Sequence, residues 1–229
     1  MTTATKNTCK LSGRSLSNGL SSWGVAIVVA MILGQAATAA PIALYDSING
    51  STAFDSDGAN NSTWLANQFN TDAASYDLNS VVLNFSAAPL GTIAVGIYSD
   101  NSGEPGSNLG TLTNPGSFAA GSNTFSASGI STLASASSFW VVLRGVGAST
   151  ANWLYTSDTP TGVGSSTNTN FSTNAGASWA GVSTGTPYMM TVNATAASAV
   201  PEIDPASFGS ALSLVLGSLA IIERRRRQG

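Results

Sequence analysis

Carboxylates and tryptophans are the side chains with which the body of this sequence could do chemistry. The 229-residue chain has no histidine, its single cysteine is Cys9, and its two lysines are Lys6 and Lys10. The region from Ala40 to Val200 therefore contains no Cys, His or Lys. This composition excludes from that region Ser-His-Asp and Cys-His nucleophiles, a Schiff-base lysine and the usual zinc ligands.

One short run has the composition of a calcium loop. In Asp55–Asn60 (DSDGAN), the side chains of Asp55, Asp57 and Asn60 supply oxygen atoms of the kind that bind Ca²⁺. The EF-hand pattern also requires a glutamate at its twelfth position, which here is Ala66. Asp, Gly and Asn equally favour a solvated turn. Ca²⁺ is thus the one metal that the sequence suggests, with a plain turn as the alternative, and no other cofactor is expected.

Paired carboxylates would be needed for glycoside hydrolysis, about 5 to 9 Å apart across the scissile bond. The acidic residues between Ala40 and Val200 are Asp46, Asp55, Asp57, Asp72, Asp77, Asp100, Glu104 and Asp158. None of them sits in a recognisable catalytic motif, and Asp100 and Glu104 come just before a turn-like Pro105-Gly106. We therefore expect no enzymatic activity, and a carboxylate-based glycosidase or lyase is the less favoured alternative.

Aromatic residues provide a second candidate chemistry, the stacking of sugar rings. Trp153 and Trp179 lie near polar, Asn-rich stretches and are the candidate ligand-binding residues, whereas Trp140 and Tyr98 lie in apolar runs typical of a core. Arg144 is the sole cation of the region, and we expect it to pair with a neighbouring acid, with a clamp on an acidic ligand as the alternative.

The charge distribution excludes one class of partner. Lys6, Lys10, Arg14 and Arg224–Arg227 lie at the two ends, which leaves Arg144 alone against eight acidic residues in the body. A body with one cation cannot neutralise a phosphate backbone, so nucleic-acid binding is not expected.

The elements that position these side chains are predicted to be strands. In Thr92–Tyr98 (TIAVGIY), Ile93, Val95 and Ile97 alternate with smaller residues, as in a half-buried strand. Gly- and Pro-rich turns separate the strands, and TAASA (residues 195–199) is predicted to be a linker. The predicted strands are Leu78–Phe85, Thr92–Tyr98, Thr124–Ala127, Phe139–Arg144, Trp153–Thr156 and Tyr188–Asn193. The pattern predicts an all-β fold, a single β-sandwich or jelly-roll-like domain over residues 40–195.

The N-terminal segment, residues 1–39, has the parts of a secretory signal peptide. Three basic residues precede the apolar run Trp23–Gly34, and Ala37 and Ala39 form an A-x-A cleavage site. We expect cleavage after Ala39, since cleavage after Ala40 would leave Pro41 at the first mature position.

The C-terminal segment, residues 196–229, combines three chemically different parts. Val200, Pro201, Glu202, Ile203 and Asp204 form the motif VPEID. Pro201 and the following Pro205 bracket its last three residues and favour an extended chain. Residues 206–222 are uncharged and long enough, at about 26 Å, for a short transmembrane helix. Arg224, Arg225, Arg226 and Arg227 follow and are predicted to stay on the cytoplasmic side.

This order of motif, span and arginine cluster resembles the PEP-CTERM sorting signals, in the variant called VPEID-CTERM. The resemblance implies recognition by an exosortase, a membrane-embedded processing enzyme, in a Gram-negative bacterium that makes extracellular polysaccharide. It departs from the commoner pattern because Ile203-Asp204 replaces the second proline of P-E-P.

The body carries a second resemblance. The segments WLANQF (residues 64–69), SYDLNSVVLNF (75–85), the IYSD…PG…LG pattern within residues 97–112 and FWVVLRG (139–145) resemble the choice-of-anchor group of bacterial surface domains, most nearly its subtype R. The resemblance implies a β-rich passenger domain and carries over no catalytic residues.

Together these features predict an exported, non-enzymatic cell-surface or matrix protein. The precursor would be held in the inner membrane by its C-terminal helix until it is processed. A carbohydrate-binding module for exopolysaccharide, with or without calcium, is the alternative function.

Overall fold

The computed structural model describes residues 40–197, together with residues 223, 224 and 226–228. The part from 40 to 197 is all-β, which confirms the predicted fold class. Its ten strands are β1 (Ile42–Asp46), β2 (Ala53–Ala59), β3 (Trp64–Asn70), β4 (Tyr76–Phe85), β5 (Leu90–Asn101), β6 (Glu104–Thr111), β7 (Gly121–Ser126), β8 (Ser138–Thr156), β9 (Thr169–Ser172) and β10 (Met190–Ala196).

The strands form a curled, antiparallel sheet with two sections that share β8. One section contains β1, β10, β4 and β7 in order, and the other contains β9, β3, the first half of β8, β5 and β6. The second half of β8 pairs with β2 and meets β4 at Phe85 and Trp153. The sheet therefore curls around one apolar core.

Strand β8 is nineteen residues long and unites two predicted strands, Phe139–Arg144 and Trp153–Thr156. The segment between the two predicted strands contains Gly145 and Gly147, and glycine is depleted in strands. A close crossing requires glycine there, since a Cβ on Gly145 would lie 2.4 Å from the Ser149 carbonyl oxygen and 2.9 Å from the Cα of Asn60. The glycine lets β8 pass from one section to the other without ending.

The interior side of the sheet is apolar, as the alternation in β5 predicts. Ile93, Val95 and Ile97 are buried, and they belong to a core cluster that includes Leu44, Phe69, Leu83, Phe85, Phe125, Leu143 and Val192. The half-buried strand expected over residues 92–98 is confirmed, within a longer strand β5.

Several predicted turns and linkers are wrong. The DSDGAN run lies mostly in β2, an exposed strand that pairs with β8, so polar composition concealed it. The turn predicted over residues 99–108 is only Ser102-Gly103, whose φ values of 58° and 91° place both residues in the left-handed region typical of a tight hairpin. Thr195 and Ala196 are the last residues of β10, which shortens the expected linker.

Strand β1 and strand β10 place the two ends of the domain side by side. They pair antiparallel, with Ile42 opposite Ala194 and Ala43 opposite Asn193. The start of β1 thus lies beside the end of β10, so the chain enters and leaves the sheet at the same end.

The predicted signal peptide and most of the predicted sorting segment lie outside the described residues. Of the C-terminal residues that are described, Glu223, Arg224 and Arg226 are helical and Arg227 pairs with Glu223. Within the described part of the chain, no helix is long and apolar enough to cross a membrane. The span predicted over residues 206–222 is outside that part.

Candidate functional site

A cluster of aromatic side chains, separate from the apolar core, lies on the outer side of the section containing β9, β3, β8 and β5. Gln68 of β3, Trp140 of β8 and Tyr98 of β5 lie opposite one another in successive strands and so project to the same side. The cluster consists of buried Ala66, Trp140 and Val142, with Trp64, Tyr98 and Trp179 packed against it. Aromatic side chains therefore lie on both sides of this section, on the outer side as well as on the side that faces the core.

Asp100 is the centre of a hydrogen-bond network on this outer side. Its Oδ1 accepts hydrogen bonds from Trp140 Nε1 at 2.8 Å and from Gln68 Nε2 at 3.1 Å. The Oε1 of Gln68 in turn accepts from Asn168 Nδ2 at 2.8 Å and from Ser166 Oγ at 3.0 Å. Because Trp140 is fully buried and Gln68 is 6% exposed, this carboxylate is held in a fixed orientation.

The β5–β6 hairpin extends this network to the rim of the sheet. Asn101 pairs with Glu104 across the two-residue turn, and the amide of Gly103 donates to Asp100 Oδ2 at 3.1 Å. The turn thus holds Asp100 from the backbone side.

The loop that follows β9 lies across from the β5–β6 hairpin. Gly176 lies directly on the ring of Trp64, since a Cβ there would be 2.5 Å from the ring atom Cζ3. Asn174 and Ser178 bond to each other through backbone and side chain, with Ser178 N donating to Asn174 Oδ1 at 2.9 Å. Trp179 follows and is half-buried against the aromatic cluster, which leaves part of its ring accessible.

Arg144 stacks on an aromatic ring. Its Cζ lies 5.1 Å from the centroid of Trp64, within the range of a cation–π interaction. Among the described residues it forms no ion pair, so the expected pairing with a neighbouring acid is wrong. The cause is β-sheet register, which places Trp64 and Arg144 on the same outer side of neighbouring strands.

A groove of about 630 Å³ lies between the hairpin and the loop. Residues 99–101 and 104–107 line one side, and residues 176–179 line the other; we call this the Trp179 groove. A second cavity of about 520 Å³, bounded by Leu109 and by residues 131–134 and 137–139, shares Ser99 and Asp100 with it. The two cavities therefore adjoin at Asp100.

The two tryptophans predicted to bind ligand have different environments. Trp153 is 0% exposed, stacks on Tyr188 with ring centroids 4.6 Å apart, and donates from Nε1 to the Met189 carbonyl at 2.9 Å. The Trp153 ring packs within the core, so the expectation that Trp153 contacts a ligand is wrong. Trp179 lines the groove, so the prediction continues with this residue alone.

The predicted calcium ligands each accept hydrogen bonds from different groups of the protein. Asp57 Oδ2 accepts a 2.8 Å hydrogen bond from the hydroxyl of Tyr188, and Asp55 Oδ1 accepts from the amide of Ser56. Asn60 Oδ1 accepts from Ser62 N, Ser62 Oγ and Thr63 N, at 2.8 to 2.9 Å. Over the described residues, no group of three or more acidic, His or Cys side chains is arranged to hold a metal.

The titration behaviour of the tyrosines follows their burial. Burial raises the pKa of Tyr45 to about 12, and it raises the pKa of Tyr188 further because the charge and hydrogen bond of Asp57 also favour the neutral phenol. Burial raises the pKa of Tyr98 as well, with Arg144 acting in the opposite direction. These phenols therefore remain neutral at neutral pH, and that of Tyr188 donates to Asp57.

Sequence reasoning missed the network of Asp100, Gln68 and Trp140. The sequence predicts a turn at Asp100 and a core position for Trp140, and it does not single out Gln68. No alternation marks this end of β5, because Ser99, Asp100 and Asn101 are all polar. The sorting motif, Val200 to Asp204, and the signal cleavage site, Ala37 and Ala39, lie outside the described residues.

The fold and the groove define an all-β, sandwich-like domain with an outer groove that combines aromatic and acidic side chains. No protein-family model matches the sequence, and no curated protein matches it either. Among solved structures, the chain is similar to the cysteine protease and lectin-like domains of Cwp84, a surface layer associated protein of Clostridium difficile. That likeness has a TM-score of 0.40 at 13% identity and covers 60% of this chain and 33% of that chain. The function proposed below therefore rests on the residues of this chain.

Proposed function

We propose that this chain is an exported, non-enzymatic surface or matrix protein that is sorted through its VPEID segment. The observation that carries the proposal is the order of Val200–Asp204, the uncharged stretch 206–222 and Arg224–Arg227, directly after the last strand of the domain. The proposed partners are an exosortase-type processing enzyme and, before processing, the inner membrane. After processing the domain remains at the cell surface or enters the matrix.

The arrangement of the terminal strands supports this proposal. Because β1 and β10 pair antiparallel, the chain approaches Ile42 and leaves Ala196 at the same end of the sheet. A domain with this arrangement can be attached at one end while its other surfaces remain accessible. Both proposed processing points, after Ala39 and at VPEID, lie within a few residues of that end in the sequence.

Composition supports a non-enzymatic role. The region from Ala40 to Val200 has no Cys, His or Lys, so general base or nucleophile roles would fall to carboxylates and hydroxyls. The carboxylate of the groove, Asp100, accepts hydrogen bonds at Oδ1 from Trp140 and Gln68 and at Oδ2 from the Gly103 amide. Such a carboxylate is suited to orienting a ligand and is poorly placed to exchange protons with one.

The test is the intact mass of the mature protein recovered from its host. A chain that begins at Ala40 and ends within the VPEID region would support both processing steps, and any additional mass would identify an attached group. A mass that still includes the arginine cluster would contradict sorting and leave a plain membrane anchor.

Two substitutions make the test specific. Glu202→Ala removes the acidic residue of the motif, and we expect the unprocessed precursor to accumulate in the membrane fraction. Glu223→Ala is the matched control, because it removes an acid of the same tail outside the motif. Equal processing of both variants would show that VPEID is not read.

A further inference from the structure

We infer that the Trp179 groove binds a neutral oligosaccharide and that the adjoining cavity extends the site along the chain of sugars. This inference concerns the body of the domain and does not rest on the proposed sorting route.

Trp179 provides the apolar contact that a sugar ring requires. Pyranose rings have a face of C–H groups, and an indole ring offers a flat, electron-rich surface to such groups. Trp179 is held from behind by packing against the buried cluster of Ala66, Trp140 and Val142. The ring therefore loses little conformational freedom when a ligand stacks on it.

The opposite wall provides acceptors for sugar hydroxyls. Asp100 and Glu104 both line the groove, and a hydroxyl that donates to a carboxylate forms a strong hydrogen bond. Asp100 is already oriented by Trp140, Gln68 and the amide of Gly103. A saccharide would thus meet an acceptor whose position is set before binding.

The charges of the groove select against acidic sugars. Its lining contains two carboxylates and no basic side chain. Arg144, the one cation between Ala40 and Val200, is stacked on Trp64. A uronate or sulfated sugar would therefore be repelled without compensation, whereas a neutral sugar would not.

The second cavity indicates a polymer as the ligand. The two cavities share Ser99 and Asp100, so a chain that crosses Asp100 would occupy both. The second cavity is lined largely by small and hydroxyl-bearing residues, including Ser131, Thr132, Ser137 and Ser138. Those hydroxyls both donate and accept, as sugar hydroxyls do.

The experiment is a binding assay with the full chain, purified in a detergent whose headgroup is not a sugar. A set of neutral hexasaccharides with α- and β-linked glucose, mannose and galactose is used as the probe, and a galacturonate hexamer serves as the anionic comparison. We expect at least one neutral hexasaccharide to bind, more tightly than its disaccharide, and the galacturonate hexamer not to bind. The absence of binding by every neutral probe at millimolar concentration would overturn the inference, as would binding that favours the anionic probe.

Variants then locate the site. Trp179→Ala should weaken binding about tenfold, since a stacked aromatic contact contributes on the order of one factor of ten in affinity, while Trp179→Phe should retain most of it. Phe54→Ala is the matched control, because Phe54 is an aromatic residue that is 72% exposed and does not line the groove. Equal affinities of the wild type and Trp179→Ala, with unchanged melting temperatures, would place the ligand elsewhere.

Adding a chelator distinguishes direct binding of the sugar to Asp100 and Glu104 from binding through a cation that the same two carboxylates hold. If the sugar contacts Asp100 and Glu104 directly, EDTA leaves the affinity unchanged and Glu104→Gln weakens it. Loss of binding in EDTA would overturn direct contact. Equal affinity for the disaccharide and the hexasaccharide would overturn the extended, two-cavity site. None of these outcomes affects the mass of the mature protein, so the two proposals fail separately.

Discussion

The indole Nε1 of Trp140 donates a 2.8 Å hydrogen bond to Oδ1 of Asp100, and this bond joins the floor of the outer aromatic cluster to the β5–β6 hairpin. The donor is fully buried, whereas the acceptor lies at the edge of two cavities. This contact is one of three, with those from Gln68 Nε2 and the Gly103 amide, that orient the carboxylate on which the proposed site depends.

Trp140→Phe should loosen the hairpin. The variant keeps an aromatic ring in the cluster but removes a hydrogen bond to a carboxylate, so we expect it to unfold about 2 kcal/mol more easily. Hydrogen exchange at the amide of Gly103 should accelerate as well, because that amide donates to the same carboxylate. Val142→Ala is the control, since it reduces packing in the cluster without touching the network. Similar exchange rates at Gly103 in both variants would contradict the link.

Arg144 should stabilise the domain through its contact with the ring of Trp64. Arg144→Met removes the cation above Trp64 and should lower the free energy of unfolding by about 1 kcal/mol. Arg144→Lys keeps a cation and should lower the free energy of unfolding by less. The difference from wild type should change little with salt, because no carboxylate of the described region pairs with Arg144. Chemical denaturation at low and high salt measures both effects, and a difference that vanishes at high salt would indicate an ion pair.

Trp153 should be a stability residue. Trp153→Ala leaves a cavity beside Tyr188 and removes the donor to Met189, so we expect a loss of about 3–5 kcal/mol. The exposed Phe54 provides the comparison, and Phe54→Ala should change the free energy of unfolding by less than about 0.5 kcal/mol. A Trp153→Ala protein with wild-type stability would contradict the placement of this ring in the core.

Asp46 should make the domain sensitive to acid. Burial alone would raise its pKa, but hydrogen bonds from Asn49, from the amides of Ile48 and Asn49, and from Thr191 outweigh burial and lower the pKa below 3.8. Because the folded pKa is depressed, the stabilisation is present above the unfolded pKa and is lost as the pH falls through the folded one.

Asp46→Asn tests this dependence. The variant should be less stable than wild type at neutral pH. The difference should begin to shrink below about pH 4, where the carboxyl of the unfolded chain takes up a proton, and should be lost as the pH falls through the lower pKa of the folded protein. Urea denaturation across this pH range measures the difference, with Asp158→Asn as a second carboxylate for comparison. A difference that is constant with pH would rule out Asp46 as the source of the acid sensitivity.

Calcium removal should leave the melting temperature unchanged. The oxygens of Asp57 and Asn60 that a cation would need already accept hydrogen bonds from Tyr188 and from the Ser62–Thr63 segment. Asp57→Ala should still destabilise the domain by about 1 kcal/mol, because the hydroxyl of Tyr188 loses its acceptor. Asp55→Ala, whose carboxylate accepts only from the adjacent Ser56 amide among the described residues, should be nearly neutral. A fall in melting temperature on adding EDTA would restore the calcium prediction.

The all-β class was predictable because the alternation of Ile93, Val95 and Ile97 is a local property. A strand with one buried side must repeat every two residues, whatever it pairs with. The same reasoning located the strands around β4, β5, β7 and β10. The polar strands β2, β3 and β9 carry no such period, since β2 is exposed and β3 buries polar Asn67 and Gln68. The pairing of β2 and β3 with β8, and of β9 with β3, compensates for the weak local signal.

The roles of the tryptophans were decided only by the tertiary structure. Trp140 and Trp153 both lie in β8, thirteen positions apart by number, yet one projects to the outer cluster and the other to the core. Side chains thirteen residues apart in a strand project to opposite sides, but which side is interior depends on the strands that pair with it.

By itself, the sequence determined the class of fold, the absence of His and Lys chemistry in the body, and the order of parts in the C-terminal segment. These follow from residue types and local spacing. The Trp179 groove required the tertiary structure, because strand pairing brings together residues 99–107 and residues 176–179, which are about 70 to 80 positions apart in the sequence. Local sequence patterns contain no information on contacts of that range, which depend on the register of β3, β5 and β9 against their neighbours.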